Sequence, residues 1–107
     1  MGLFAGKKKK KEVGDLYQRI DKKLLRYVTE RDLDTYVESV IGKSGMLNVY
    51  GDEIAVYCDG KEVFRSRLAD SEVGELMSLE GAVIKGPDIQ TGKLRSIVAY
   101  YKYYRKV

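Results

Sequence analysis

The sequence predicts an α+β domain in which an N-terminal helical pair packs on an antiparallel meander of about five strands, with a short helix before the last hairpin. Two observations lead to this prediction. Apolar residues recur every three or four positions through residues 12–41, which is typical of helices with one buried face. Short runs rich in Val, Ile and Tyr then alternate with Gly-Asp and Asp-Gly dipeptides, which favour two-residue hairpin turns.

The helical pair is predicted from two apolar stripes. Thr29 is placed as an N-cap between them, and Gly42 as a C-terminal stop. The first stripe contains Val13, Leu16, Tyr17, Ile20, Leu24, Tyr27 and Val28, and the second contains Leu33, Tyr36, Val37, Val40 and Ile41. The stripes are out of phase by about one residue, so we expect two helices or one kinked helix.

Three strands are predicted next, over residues 45–50, 53–58 and 61–68. The turn dipeptides between them set a register in which Val49 faces Ile54 and Val56 faces Val63. Both faces of the resulting sheet are largely apolar, whereas a sheet with one face in water alternates more cleanly. We therefore expect something to cover part of the second face.

The rest of the chain predicts a short helix over residues 70–79, a fourth strand over residues 82–90, and a last strand within residues 93–106. The last stretch also fits helical spacing, but its β-branched residues and four tyrosines favour a strand. Alternation along that strand places Tyr101 and Tyr103 on one face, with Tyr100 and Tyr104 on the other.

The net charge of +4 hides an uneven distribution. Residues 1–11 and residues 93–107 each carry five basic residues and no acid, so residues 12–92 carry a net charge of −6. Lysines Lys7, Lys8, Lys9, Lys10 and Lys11 lie in a segment without periodicity. We interpret residues 1–11 as a disordered Lys-rich tail and residues 12–107 as a single α+β domain. The tail is either simply solvated or a weak electrostatic tether to an anionic membrane or nucleic acid.

The residue inventory argues against most enzymes. The chain has no histidine, which excludes Ser–His–Asp and Cys–His catalysis and histidine-containing zinc sites. The lone Cys58 cannot form an internal disulfide, so we expect a reduced, buried thiol in a cytoplasmic protein. Gly42-Lys43-Ser44 resembles the end of a phosphate-binding loop, but Val37 stands where that motif needs glycine. We predict no catalytic residue, cofactor, metal or small-molecule substrate.

The last stretch carries the functional content of the sequence. Its interaction residues are predicted to be Tyr100, Tyr101, Lys102, Tyr103, Tyr104 and Arg105. Tyrosines are favoured at protein interfaces, and aromatic residues interleaved with cations also bind single-stranded nucleic acid. We expect a small non-catalytic domain that binds a protein partner or a second copy of itself, with nucleic-acid binding as the alternative and peripheral membrane attachment through the Lys tail as a further one.

Overall fold

A computed structural model of the chain describes residues 16–103, which form one antiparallel sheet of seven strands preceded by a helical turn at residues 16–20 (α1). The strands are β1 (Leu24–Arg31), β2 (Glu38–Tyr50), β3 (Glu53–Cys58), β4 (Lys61–Arg67), β5 (Glu72–Glu75), β6 (Gly81–Pro87) and β7 (Leu94–Tyr101). Their order across the sheet is β4-β3-β2-β1-β7-β6-β5, so the last strand lies between the first strand and β6. The predicted antiparallel sheet and the predicted last strand are confirmed.

The predicted helical pair is wrong. Most of residues 12–41 that the structure describes belong to β1, β2 and the loop between them. The physical reason is a β-bulge in β1, where the register against β7 shifts between Leu25 and Tyr27. A second bulge follows opposite Val28 and Thr29, where the extra residue is Ile41 of β2. A bulge adds one residue to one strand, so the buried residues Leu25 and Val28 are three positions apart. That spacing imitates a helix although the backbone is extended.

The predicted helix over residues 70–79 is also wrong. The chain makes a short 3-10 turn at Leu68–Asp70 and then enters β5, where Val73 pairs with Ile84 of β6. The predicted hairpin registers are half right. Val49 faces Ile54 as predicted, but a bulge after Val56 places Phe64, and not Val63, opposite it.

One face of the sheet forms the core because the sheet curls on itself. The backbone N–H of Ile89 donates to the carbonyl of Arg65 at 2.8 Å, which brings the β6–β7 turn onto β4. The core side chains come from α1 and from every strand except β5, whose Val73 packs against them: Leu16, Ile20, Leu25, Val28, Leu47, Ile54, Val56, Cys58, Phe64, Ala82, Ile84, Ile97, Ala99 and Tyr101. Within residues 16–103 no helix is long and apolar enough to cross a membrane.

A buried ion cluster lies at the β6–β7 end of the core. The Arg95 guanidinium donates to Glu30 Oε1 and to Asp88 Oδ2, both at 2.6 Å, and to the carbonyl of Val63 at 3.0 Å. The side chain of Asp88 is fully buried. Hydrogen bonding to Glu30, with a further contribution from Asp88, raises the pKa of Arg95. One side chain therefore joins β1, β4, β7 and the β6–β7 turn.

Candidate functional site

The end of the β1–β2 hairpin carries four exposed apolar side chains, which we call the hairpin tip: Leu33, Tyr36 and Val37 in the loop, and Val40 in β2. Their exposed fractions are 36%, 71%, 62% and 57% respectively. Loops are usually built from polar and turn-forming residues, and a group of exposed apolar side chains on one protrusion is a mark of a binding surface.

Hydrogen bonds around Asp32 hold the backbone of the hairpin tip. Its Oδ1 accepts the backbone N–H groups of Asp34 at 2.8 Å and Thr35 at 2.9 Å. Its own N–H donates to the carbonyl of Val37 at 2.9 Å. The N–H of Thr35 and then that of Asp34 lower the pKa of the Asp32 carboxyl. The loop is thus preformed, and Tyr36 is held with a φ of 63° and its ring in solvent.

A shallow groove of about 380 Å³ lies beside the hairpin tip, against the edge strand β5. Leu33 and Tyr36 form one wall, and Val73, Val83 and Lys85 lie on the other. Within residues 16–103 neither Asp32 nor Asp34 forms an ion pair. The hairpin tip is therefore both apolar and acidic.

A second surface lies on the outer face of the sheet at the other end of β1, and we call it the tyrosine face: Arg26, Tyr27, Lys43, Tyr100, Lys102 and Tyr103. The rings of Tyr27 and Tyr100 are stacked with their centroids 4.6 Å apart. The guanidinium of Arg26 lies 5.3 Å from the Tyr27 ring and 5.8 Å from the Tyr100 ring. Among the described residues, Lys43 and Lys102 have no acidic partner, so this surface is aromatic and basic.

A groove of about 600 Å³ adjoins the tyrosine face, and we call it the β1–β3 groove. It is lined by Leu24, Leu25, Ser44, Gly45, Met46, Asn48, Tyr50, Tyr57, Gly60 and Lys102. Arg65 fixes the wall at Tyr57, because it donates to the Tyr57 hydroxyl at 3.2 Å and forms ion pairs with Glu53 and Glu62. Among the described residues that line the groove, Lys102 is the one with a charged side chain.

Glu38 joins the tyrosine face to the base of the hairpin. Its carboxylate accepts the hydroxyls of Thr29 at 2.7 Å and Tyr100 at 3.0 Å, and it pairs with Arg31 at 3.3 Å. The Thr29 hydroxyl, followed by the Tyr100 hydroxyl and Arg31, lowers the pKa of Glu38. Burial, followed by the hydrogen bond to Glu38, raises the pKa of Tyr100 to about 12.

We expect the Tyr100 phenol to make folding stability fall at alkaline pH. The folded state holds this proton above the ordinary tyrosine pKa of about 10. The stabilisation is therefore complete below about pH 10 and is lost as the pH rises through about 12. Replacing Tyr100 with Phe should make the alkaline fall in the urea unfolding midpoint shallower. Equal slopes for the two proteins would contradict the assignment.

The structure divides the predicted interaction residues between two faces. Tyr100, Lys102 and Tyr103 lie on or beside the outer face, with Tyr103 68% exposed. Tyr101 is buried, and its hydroxyl donates to Glu75 at 3.0 Å. Tyr101 therefore belongs to the core. Tyr104, Arg105 and the lysines Lys7–Lys11 lie outside the described residues, so their predicted roles stay predictions.

Sequence reasoning missed the hairpin tip because its four side chains fitted a helical stripe that was assigned to the core. The signal that could have located the loop is Asp32, whose side chain commonly closes a turn over the following residues. Cys58 is buried as predicted, with its pKa raised by burial. Residues 16–103 contain no group of three or more Cys, Asp or Glu side chains that could hold a metal ion.

Comparison of the chain with protein-family models, with curated proteins and with solved structures gives no match.

Proposed function

We propose that this chain is a small non-catalytic interaction domain that binds a protein, either a partner or a second copy of itself, through the hairpin tip. The observation that carries the proposal is the exposure of Leu33, Tyr36, Val37 and Val40 at the end of one hairpin. Isolated apolar side chains on a surface need no explanation, but several at one end of the molecule do. The reduced, buried thiol of Cys58 supports a cytoplasmic setting.

The stiffness of the loop supports the same proposal. A contact surface that is held in its bound shape loses less conformational entropy on binding. The hydrogen bonds to Asp32 provide that order at the hairpin tip. Tyr36 adds a large ring with few rotatable bonds, which is the kind of side chain that dominates protein interfaces.

A second candidate function is binding of single-stranded nucleic acid at the tyrosine face. The specific observation is the stacked pair of Tyr27 and Tyr100 beside Arg26 and Lys102 on an open sheet surface. Nucleic-acid bases stack on such rings while cations neutralise the phosphates. The burial of Tyr101 leaves fewer rings for this role than the sequence suggested, so we rank it second.

Site-specific photo-cross-linking in cells tests both candidates. A benzophenone amino acid at position 36 should give protein adducts, whereas the same group at Met77, which is fully exposed on the β5–β6 loop, should give few. At position 103 an adduct that nuclease removes would favour the second candidate. Position 36 giving no more protein adducts than position 77 would overturn the first.

A further inference from the structure

We infer that the hairpin tip of one copy binds the β1–β3 groove of a second copy, so that the chain associates head to tail. The inference rests on the proposed function and names its partner. Both surfaces lie on the same molecule, both are exposed, and their apolar and charged groups are complementary.

The hairpin tip and the β1–β3 groove both expose apolar side chains that a contact between them would bury. The hairpin tip exposes Leu33, Tyr36 and Val37 in the β1–β2 loop. The lining of the β1–β3 groove includes the apolar or aromatic side chains of Leu24, Met46, Tyr50 and Tyr57. Its volume of about 600 Å³ is in the range of pockets that enclose a small ligand, which is ample for the two or three side chains at the tip.

The charged residues beside the hairpin tip and those at the β1–β3 groove are of opposite sign. Asp32 and Asp34 flank Leu33 at the tip, and neither has a cationic partner within residues 16–103. Lys102 lines the groove and Lys43 lies on the neighbouring outer face, and neither has an acidic partner within the same residues. An acidic protrusion is thus matched to a basic recess, which favours this pairing over tip-to-tip contact, where like charges would meet.

The hairpin tip and the β1–β3 groove lie at opposite ends of β1. The hairpin tip follows the last residue of β1, and the groove begins at its first residue, Leu24. Eight residues of strand separate them by roughly 25 Å, so the tip of a chain cannot reach its own groove. The contact must join two copies, and the two copies contribute different surfaces. Where the rotation between copies permits, such contacts close into a ring of two or more copies, and otherwise a free tip and a free groove remain and association continues into open chains.

Two variants that each lack one surface provide the test. The tip variant is Tyr36→Asn with Val37→Thr, because Asn tolerates the positive φ at position 36 and Thr keeps the shape of Val. The groove variant is Leu24→Thr with Lys102→Glu. Both sites are exposed, which limits the effect on folding. The matched control removes an apolar and reverses a basic side chain elsewhere, at Met77→Gln with Lys93→Glu.

Sedimentation velocity at low salt is the measurement. The wild-type chain and the control should form assemblies, closed or open, whose average mass rises with protein concentration and falls with salt. Each variant alone should stay monomeric. An equal mixture of the two should form a one-to-one dimer and nothing larger, because the dimer retains only the disabled tip and the disabled groove.

Three outcomes would overturn the inference: a wild-type chain that is monomeric at its solubility limit, a mixture of variants that stays monomeric, or assemblies that nuclease dissolves. The failure of this inference is distinguishable from failure of the proposed function. A protein adduct from position 36 in cells, combined with a monomeric purified chain, would retain the interaction domain and replace the second copy with another protein.

Discussion

Replacing Arg95 with Met should lower the free energy of unfolding by about 3–5 kcal/mol, which is the usual cost of removing one partner from a buried ion pair. The stability of a domain of this size is only about 5–15 kcal/mol. The substitution is therefore expected to consume a large part of it.

The loss of stability is expected to be large because removing the Arg95 guanidinium leaves the carboxylate of Asp88 buried without its cationic partner. Asp88 is fully buried, and Arg95 is the cation bonded to its carboxylate at 2.6 Å. Without the guanidinium, Asp88 must hold an uncompensated charge or take up a proton, and either change destabilises the folded state. The contacts of Arg95 with Glu30 and the Val63 carbonyl are lost as well, so the curled sheet loses a connection between β1, β4 and β7.

Urea unfolding at neutral pH measures the change through the midpoint at constant slope. Arg31→Met is the matched control, since Arg31 also pairs with a carboxylate, that of Glu38, but both side chains are about one third exposed. A partly exposed pair contributes about 1 kcal/mol or less. Equal losses of stability in Arg95→Met and Arg31→Met would show that the buried cluster is not a major support of the fold.

The middle of the sheet could be predicted from the sequence. The predicted strand over residues 45–50 lies within β2, and those over residues 53–58 and 61–68 match β3 and β4 to within one residue. Gly51-Asp52 and Asp59-Gly60 were correctly assigned to hairpins, because glycine adopts positive φ without a side-chain clash and these turns depend on few residues. The register of β2 with β3 followed directly from the first turn. Local chemistry therefore determined the middle of the sheet.

The bulge in β1 could not be predicted in the same way. A bulge depends on how a strand fits both neighbours, and β1 lies between β2 and β7, which are distant in sequence. The shift after Leu25 occurs against β7, about seventy residues later in the chain. Without knowledge of that pairing, an apolar spacing of three residues is better explained by a helix. For the same reason, the residues of the hairpin tip are predicted to lie on the buried face of a helix and not at a binding surface.

Gly42-Lys43-Ser44 is predicted to form a helix stop and a loop, yet it lies inside β2, where Ser44 has a φ of 56°. A Cβ added to Gly42 would lie 2.5 Å from the Cβ of Cys58. Glycine is required at positions 42 and 45 because β3 approaches closely there. That requirement can be recognised only once the strand pairing is known.

Gly45→Ala should accordingly destabilise the fold by about 3 kcal/mol or more, at the upper end of overpacking substitutions. The added Cβ would overlap the carbonyl of Tyr57, with the carbonyl carbon 2.8 Å away, and backbone in the centre of a sheet cannot move aside as a side chain can. Gly74→Ala in β5 is the matched control, because a Cβ there meets nothing within 4 Å. Its stability should be unchanged or higher by about 0.5 kcal/mol, since alanine restricts the unfolded chain more than glycine. Urea unfolding gives the free energy of unfolding of both variants. The difference between them separates the effect of the close strand contact at Gly45 from the general effect of replacing a glycine in a strand. Equal stability would mean that β2 and β3 are not as close at Gly45 as the structure places them.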